Sequence, residues 1–134
     1  MTRLHEYQGK QILQQFGIPV PKGAAVETPN EARLLAIGIG APVVIKAQAW
    51  VTGRAGQNLI GFAGTPDETA ALARDLLGRQ VGNFRVEKVM VEERLKLQRE
   101  FYVGVIVDDA NRAPVVIFSS MGGTGIEVIA AEHP

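Results

Sequence analysis

A layered α/β fold of the α+β kind, with helices covering one face of a sheet, is what this 134-residue sequence predicts, and three features carry the prediction. Two segments, Thr28-Pro29-Asn30-Glu31 and Thr65-Pro66-Asp67-Glu68, share one helix-start signature: a capping box with proline at the first helical position, where its missing N–H costs nothing. Behind the second, Thr69, Leu72, Ala73, Leu76 and Leu77 recur at helical spacing, so one face of that helix packs on a sheet. Strand-like segments flank both helices, at 24–27 and 42–48 around the first and at 59–63 and 85–93 around the second, so β-α-β order occurs twice.

The remaining elements follow in order. An opening helix over residues 5–16 places Ile12, Leu13 and Phe16 on one face, and Gly17, Pro19 and Pro21 stop it. Near the end, 100–108 and 113–119 are valine-rich and joined through Asp108-Asp109-Ala110-Asn111-Arg112, which reads as a hairpin turn. After a glycine stretch, Met121-Gly122-Gly123-Thr124-Gly125, the sequence ends at Glu132-His133-Pro134 soon after entering a possible helix. The last hairpin lacks partners to cover its faces, so the chain reads as a truncated piece prone to self-association.

Composition narrows the function. Lys plus Arg equals Asp plus Glu at 14 each, so no global basic field invites nucleic acid, and no basic amphipathic helix invites a membrane surface. With no cysteine there are neither disulfides nor thiolate metal sites, and the N-terminus lacks an apolar signal core, so a cytoplasmic protein is expected, or in a eukaryote one imported into the mitochondrial matrix and already processed. His5 and His133 lie at opposite ends without an acid or nucleophile spaced for a triad or a zinc site, and Asp108-Asp109 serves a turn.

The chemistry concentrates around Lys46. The strand Val43-Val44-Ile45 delivers this lysine, and a glycine-containing loop, Thr52-Gly53-Arg54-Ala55-Gly56-Gln57-Asn58, follows it. A fixed cation beside free backbone N–H groups suits a nucleoside triphosphate. In a P-loop the lysine ends the glycine run, with Ser or Thr next and a helix beyond. Here the lysine comes first and Leu59-Ile60-Gly61-Phe62-Ala63 continues as a strand, so the loop is a β-hairpin tip able to fold over a ligand. Glycines in such a tip also serve a hairpin that binds nothing. Glu92 and Glu93 are strand neighbours on opposite faces, so at least one is a solvated charge. Alternation puts Glu100 on one face with Tyr102, Gly104 and Ile106, at the start of a strand near a cleft.

In order along the chain, Leu4-His5-Glu6-Tyr7-Gln8 with Lys10, Gly17-Ile18-Pro19-Val20-Pro21, Val44-Ile45-Lys46-Ala47-Gln48, Gly53-Arg54, Val91-Glu92 and Glu100-Phe101-Tyr102-Val103-Gly104 closely resemble the amino-terminal part of succinyl-CoA synthetase β subunits. The likeness continues through Ser119-Ser120-Met121-Gly122-Gly123 and Ile126-Glu127 to Glu132-His133-Pro134. It implies an ATP-grasp fold, with residues 20–95 as the smaller, lid-like subdomain and 1–19 with 96–134 as the beginning of the larger one. The implied reaction, a step of the tricarboxylic acid cycle, joins CoA to succinate while ATP or GTP is cleaved to the diphosphate. An α-subunit partner supplies the phosphohistidine.

By the same resemblance Lys46 contacts phosphate and Gly53 with Arg54 begins the nucleotide loop. Glu92 lies at the inter-subdomain hinge near the base, Leu95 offers a backbone amide to it, and Glu100 accepts the ribose hydroxyls. Mg2+ ligands are expected from later strands, so this segment carries neither metal ligands nor a catalytic residue, and 1–134 alone is expected to be inactive. The sequence departs from the family where Ala55-Gly56-Gln57 replaces a richer glycine-lysine run, where Trp50 replaces a common histidine, and where Met121 replaces a glutamate. Those departures keep a malate- or acetate-specific CoA ligase, another ATP-grasp carboxylate ligase and a non-catalytic subunit-contact domain as alternatives.

Overall fold

The computed structural model describes residues 3–40, 42–51 and 58–123, in two compact units, 1–95 and 96–134. In the first unit helix α1 (Glu6–Gln15) is followed by β1 (Gly23–Val26), α2 (Pro29–Ile39), β2 (Val43–Ala47), β3 (Ile60–Ala63), α3 (Pro66–Leu76), two short strands β4 (Gln80–Val81) and β5 (Phe84–Arg85), and β6 (Val89–Glu93). Both capping boxes form: Thr28 accepts from the Glu31 N–H and Thr65 from the Glu68 N–H, each at 3.2 Å, while the glutamates reach back. Gly40 ends α2 at φ 83°, a conformation that glycine adopts without a Cβ clash.

The sheet order is β1-β6-β2-β3, antiparallel throughout. Both predicted β-α-β units are therefore split, each leaving one strand's width between its two strands and filling it with a strand of the other. Val43, Ile45, Ala47, Val89 and Val91 point to one face, where Ala32 and Ala36 of α2 and Ala73 and Leu76 of α3 meet them in the buried core. Alanines at these helix positions let the backbones approach the sheet closely. Thr69 is buried and satisfied by donating to the Thr65 carbonyl at 2.9 Å.

Three local expectations change. Residues 85–93 form two separate strands, because Val86 turns inward to the core while its N–H donates to the Arg79 carbonyl at 2.9 Å. The apolar face expected of α1 is exposed, with Phe16 79% accessible; this helix is joined to the unit through the polar side chains described below. The hairpin β4–β5 was not expected, although Gly82-Asn83, with Gly82 at φ 57°, has the composition of a tight turn.

The second unit contains β7 (Tyr102–Asp108) and β8 (Ala113–Ser119), paired antiparallel as expected. Asp108 Oδ1 accepts from the N–H groups of Ala110 and Asn111 at 2.9 and 3.2 Å, which fixes the turn. One face carries Val103, Val105, Val107, Val116 and Phe118, all exposed.

Candidate functional site

The sheet face turned away from α2 and α3 carries Val44, Lys46, Met90 and Glu92, since β2 and β6 pair Val44 with Glu92 and Lys46 with Met90. Antiparallel register thus puts a cation and a carboxylate diagonally opposed on neighbouring strands. Lys46 Nζ is 2.8 Å from Glu92 Oε2. Helix α1 supplies the rest: Glu6 Oε1 lies 2.9 Å from Lys46 Nζ and 3.1 Å from Lys10 Nζ, and Lys10 donates to Glu92 Oε1. Four alternating charges result, around a Glu92 side chain that is 1% exposed.

Desolvation pulls the Lys46 ammonium down, but its hydrogen bonds to Glu92 and Glu6, with their negative charge, outweigh that and hold its pKa above the ordinary lysine value. Lys46 is thus a permanent cation at neutral pH. Gln48 helps to seat α1: its side chain is buried, accepts from the Tyr7 N–H at 3.3 Å and donates to the Lys46 carbonyl at 3.2 Å.

Beside this network His5 and Trp50 stack with ring centroids 4.4 Å apart, and Phe84 meets Trp50 edge-on at 5.3 Å. These rings, with Tyr7, Gln48 and Lys88, line a pocket of about 490 Å³.

The structure therefore brings Lys46 and Glu92 into contact. Leu95 lies two residues past the end of β6 and is 49% exposed. Gly53 and Arg54, with the altered Ala55-Gly56-Gln57 run, lie outside the described residues. Glu100 belongs to the second unit and precedes β7, which begins at Tyr102, so it is not seated by strand alternation. Instead the Gly122 N–H donates to the Glu100 carbonyl at 3.0 Å, and a Cβ added to Gly123 would lie 2.9 Å from Glu100 Oε2. The glycine pair thus lets the chain run close along Glu100 and Phe101. Of the two glutamates in β6, Glu93 is the more open and accepts from the Lys22 N–H at 2.8 Å.

Sequence reasoning missed Glu6 and Lys10 as members of the site. Their i, i+4 spacing on a helix is a visible signal of mutual pairing, but nothing local announces contacts to strands 40 and 82 positions away. Among the described residues no group of three or more acidic, histidine or cysteine side chains is arranged to hold a metal ion, and no helix is long and apolar enough to cross a membrane.

The profile of the ATP-grasp domain matches residues 3–134. Over 132 residues the chain is 47% identical to the succinate–CoA ligase [ADP-forming] subunit beta 1 of Archaeoglobus fulgidus, and over 131 residues it is 43% identical to the succinate–CoA ligase [GDP-forming] subunit beta of Thermus thermophilus. Each comparison covers 98% of this chain and 35% of the relative, so the chain spans about a third of the length of these relatives. Among solved structures it is similar to a dinucleotide forming acetyl-coenzyme A synthetase 1 of Candidatus Korarchaeum cryptofilum in complex with coenzyme A, Ca-AMPCP and HgCl+. The TM-score is 0.81 and the identity 25%, with 95% of this chain and 57% of that one covered. An antiparallel sheet covered by α2 and α3 with a lysine on its opposite face, together with a family match across nearly every residue, shows that this chain belongs to the ATP-grasp family.

Proposed function

We propose that this chain is the nucleotide-binding amino-terminal part of the β chain of an NDP-forming acyl-CoA ligase, with succinate as the acid. The complete reaction is then NTP, CoA and succinate to NDP, phosphate and succinyl-CoA, in the cytoplasm and with an α-subunit partner. The observation that carries this reading is Lys46: a charged lysine in strand β2, on the sheet face turned away from α2 and α3. The similarity to ADP- and GDP-forming β subunits supports both ATP and GTP as nucleotides.

In this reading residues 20–95 act as the lid, and 1–19 with 96–134 begin the larger subdomain. Lys46, Gly53 and Arg54 meet the phosphates, Glu92 and the Leu95 amide lie toward the base, and Glu100 accepts the ribose hydroxyls. Mg2+ is held by residues beyond this segment, so 1–134 makes no acyl-CoA by itself. In the complete protein Lys46→Ala weakens nucleotide binding by about 1.5–3 kcal/mol, the range for a hydrogen bond to a charged group. Calorimetric titration measures this directly, and equal affinity in variant and parent would remove Lys46 from the site.

A further inference from the structure

Two carboxylates face one ammonium at Lys46, with Glu92 Oε2 at 2.8 Å and Glu6 Oε1 at 2.9 Å. Those three groups alone sum to a single negative charge, which repels an approaching phosphate. Glu92 cannot turn its charge to water, because its side chain is 1% exposed. Lys10 alters the sum: its ammonium lies 3.1 Å from Glu6 Oε1 and donates to Glu92 Oε1, so it shares both carboxylates with Lys46. With Lys10 the four groups are neutral. An ammonium has three N–H donors, and the contacts to Glu6 and Glu92 account for two of those on Lys46.

We propose that Lys10 is a charge-balancing, positioning residue of the nucleotide site: it neutralises half of the Glu6–Glu92 charge and so leaves the Lys46 ammonium attractive to a nucleoside polyphosphate. The proposal rests on the reading of Lys46 as a phosphate ligand. Lys10 itself touches carboxylates and acts through Lys46. Its contribution therefore scales with the charge of the ligand, which a purely structural role does not.

The test uses the complete protein and whichever of the adenosine or guanosine series it binds. Triphosphate, diphosphate and free nucleoside are titrated by calorimetry into the parent, Lys10→Met, Lys10→Met/Glu6→Gln and Lys46→Ala. Lys10→Met is expected to weaken the triphosphate about tenfold or more, the diphosphate less and the nucleoside hardly at all. Adding Glu6→Gln returns most of the triphosphate affinity, because Lys46 and Glu92 then sum to zero. Unchanged triphosphate affinity in Lys10→Met, an equal loss for nucleoside and triphosphate, or no recovery in the double variant would each overturn the proposal. Lys46→Ala keeps the two ideas apart. A loss there with none in Lys10→Met overturns only the role of Lys10, whereas unchanged triphosphate affinity in Lys46→Ala overturns the reading of the site.

Discussion

Residues 1–95 close a core between a four-stranded sheet and two helices, whereas in the second unit a two-stranded ribbon leaves its apolar side chains exposed. The ribbon has the longer strands, seven residues each against four or five in the sheet, and the richer run of valines. Yet Ile45 in the sheet is fully buried, while Val105 in the ribbon is 67% accessible. Strand length and β-branched content make a hairpin; burial needs a second layer.

Truncating one side chain in each region tests the contrast most strongly. Ile45→Ala is expected to cost about 2–5 kcal/mol in urea unfolding, the range for losing a buried aliphatic group, and Val105→Ala to stay within about 0.5 kcal/mol. Equal costs would mean that the ribbon face is covered after all.

A smaller effect belongs to the second unit. A Cβ on Gly122 would lie 2.5 Å from the Phe101 carbonyl carbon and 2.6 Å from its oxygen, so Gly122→Ala must push backbone aside at about 1–3 kcal/mol. Phe101 stacks on Phe118 at 5.7 Å, so the disturbance should appear in the NMR shifts of 100–123 and leave those of the first unit unmoved. Shifts that spread into residues 1–95 would break the division into two units.

The smallest expected effect is the acid response of a helix cap. The Glu27 N–H, then the Thr28 hydroxyl and N–H, hold the exposed Glu31 carboxyl below the usual carboxylate range. A folded-state pKa below the unfolded one stabilises above the unfolded value, roughly 4.3, and the gain is lost as pH falls through the folded pKa. Glu31→Gln should therefore be less stable than the parent near neutral pH, with the gap closing in acid. A gap that is constant with pH would remove the charge from the explanation. Asp108 offers the ribbon's counterpart, its carboxyl lowered by the Asn111 side chain and the N–H groups of Asn111 and Ala110.

What the sequence made legible was local. Both capping boxes and the Asp108–Arg112 turn rest on contacts within a few residues, and all three form; the α3 face is announced by helical spacing, and its Ala73 and Leu76 are buried. The strand pairs were harder, because β1 meets β6 across more than sixty positions and no turn residue records that. At the site, Lys46 could be singled out by its strand and loop, but its balance with Lys10 needs α1 placed against the sheet. Glu100 was tied to a strand that starts two residues later, since the glycine pair at 122–123, distant in sequence, runs alongside it.

The interleaved sheet imposes a schedule on the growing chain. β1 is made early and pairs only with β6, which is the last strand of the unit to leave the ribosome and must enter between two strands already made. At a few to tens of residues per second, β1 waits for seconds without its neighbour. Until then β2 and β3 can pair only with each other, and every shortened product that stops before β6 lacks the strand bearing Glu92. Closure of this sheet and arrival of the buried carboxylate are therefore a single event during synthesis.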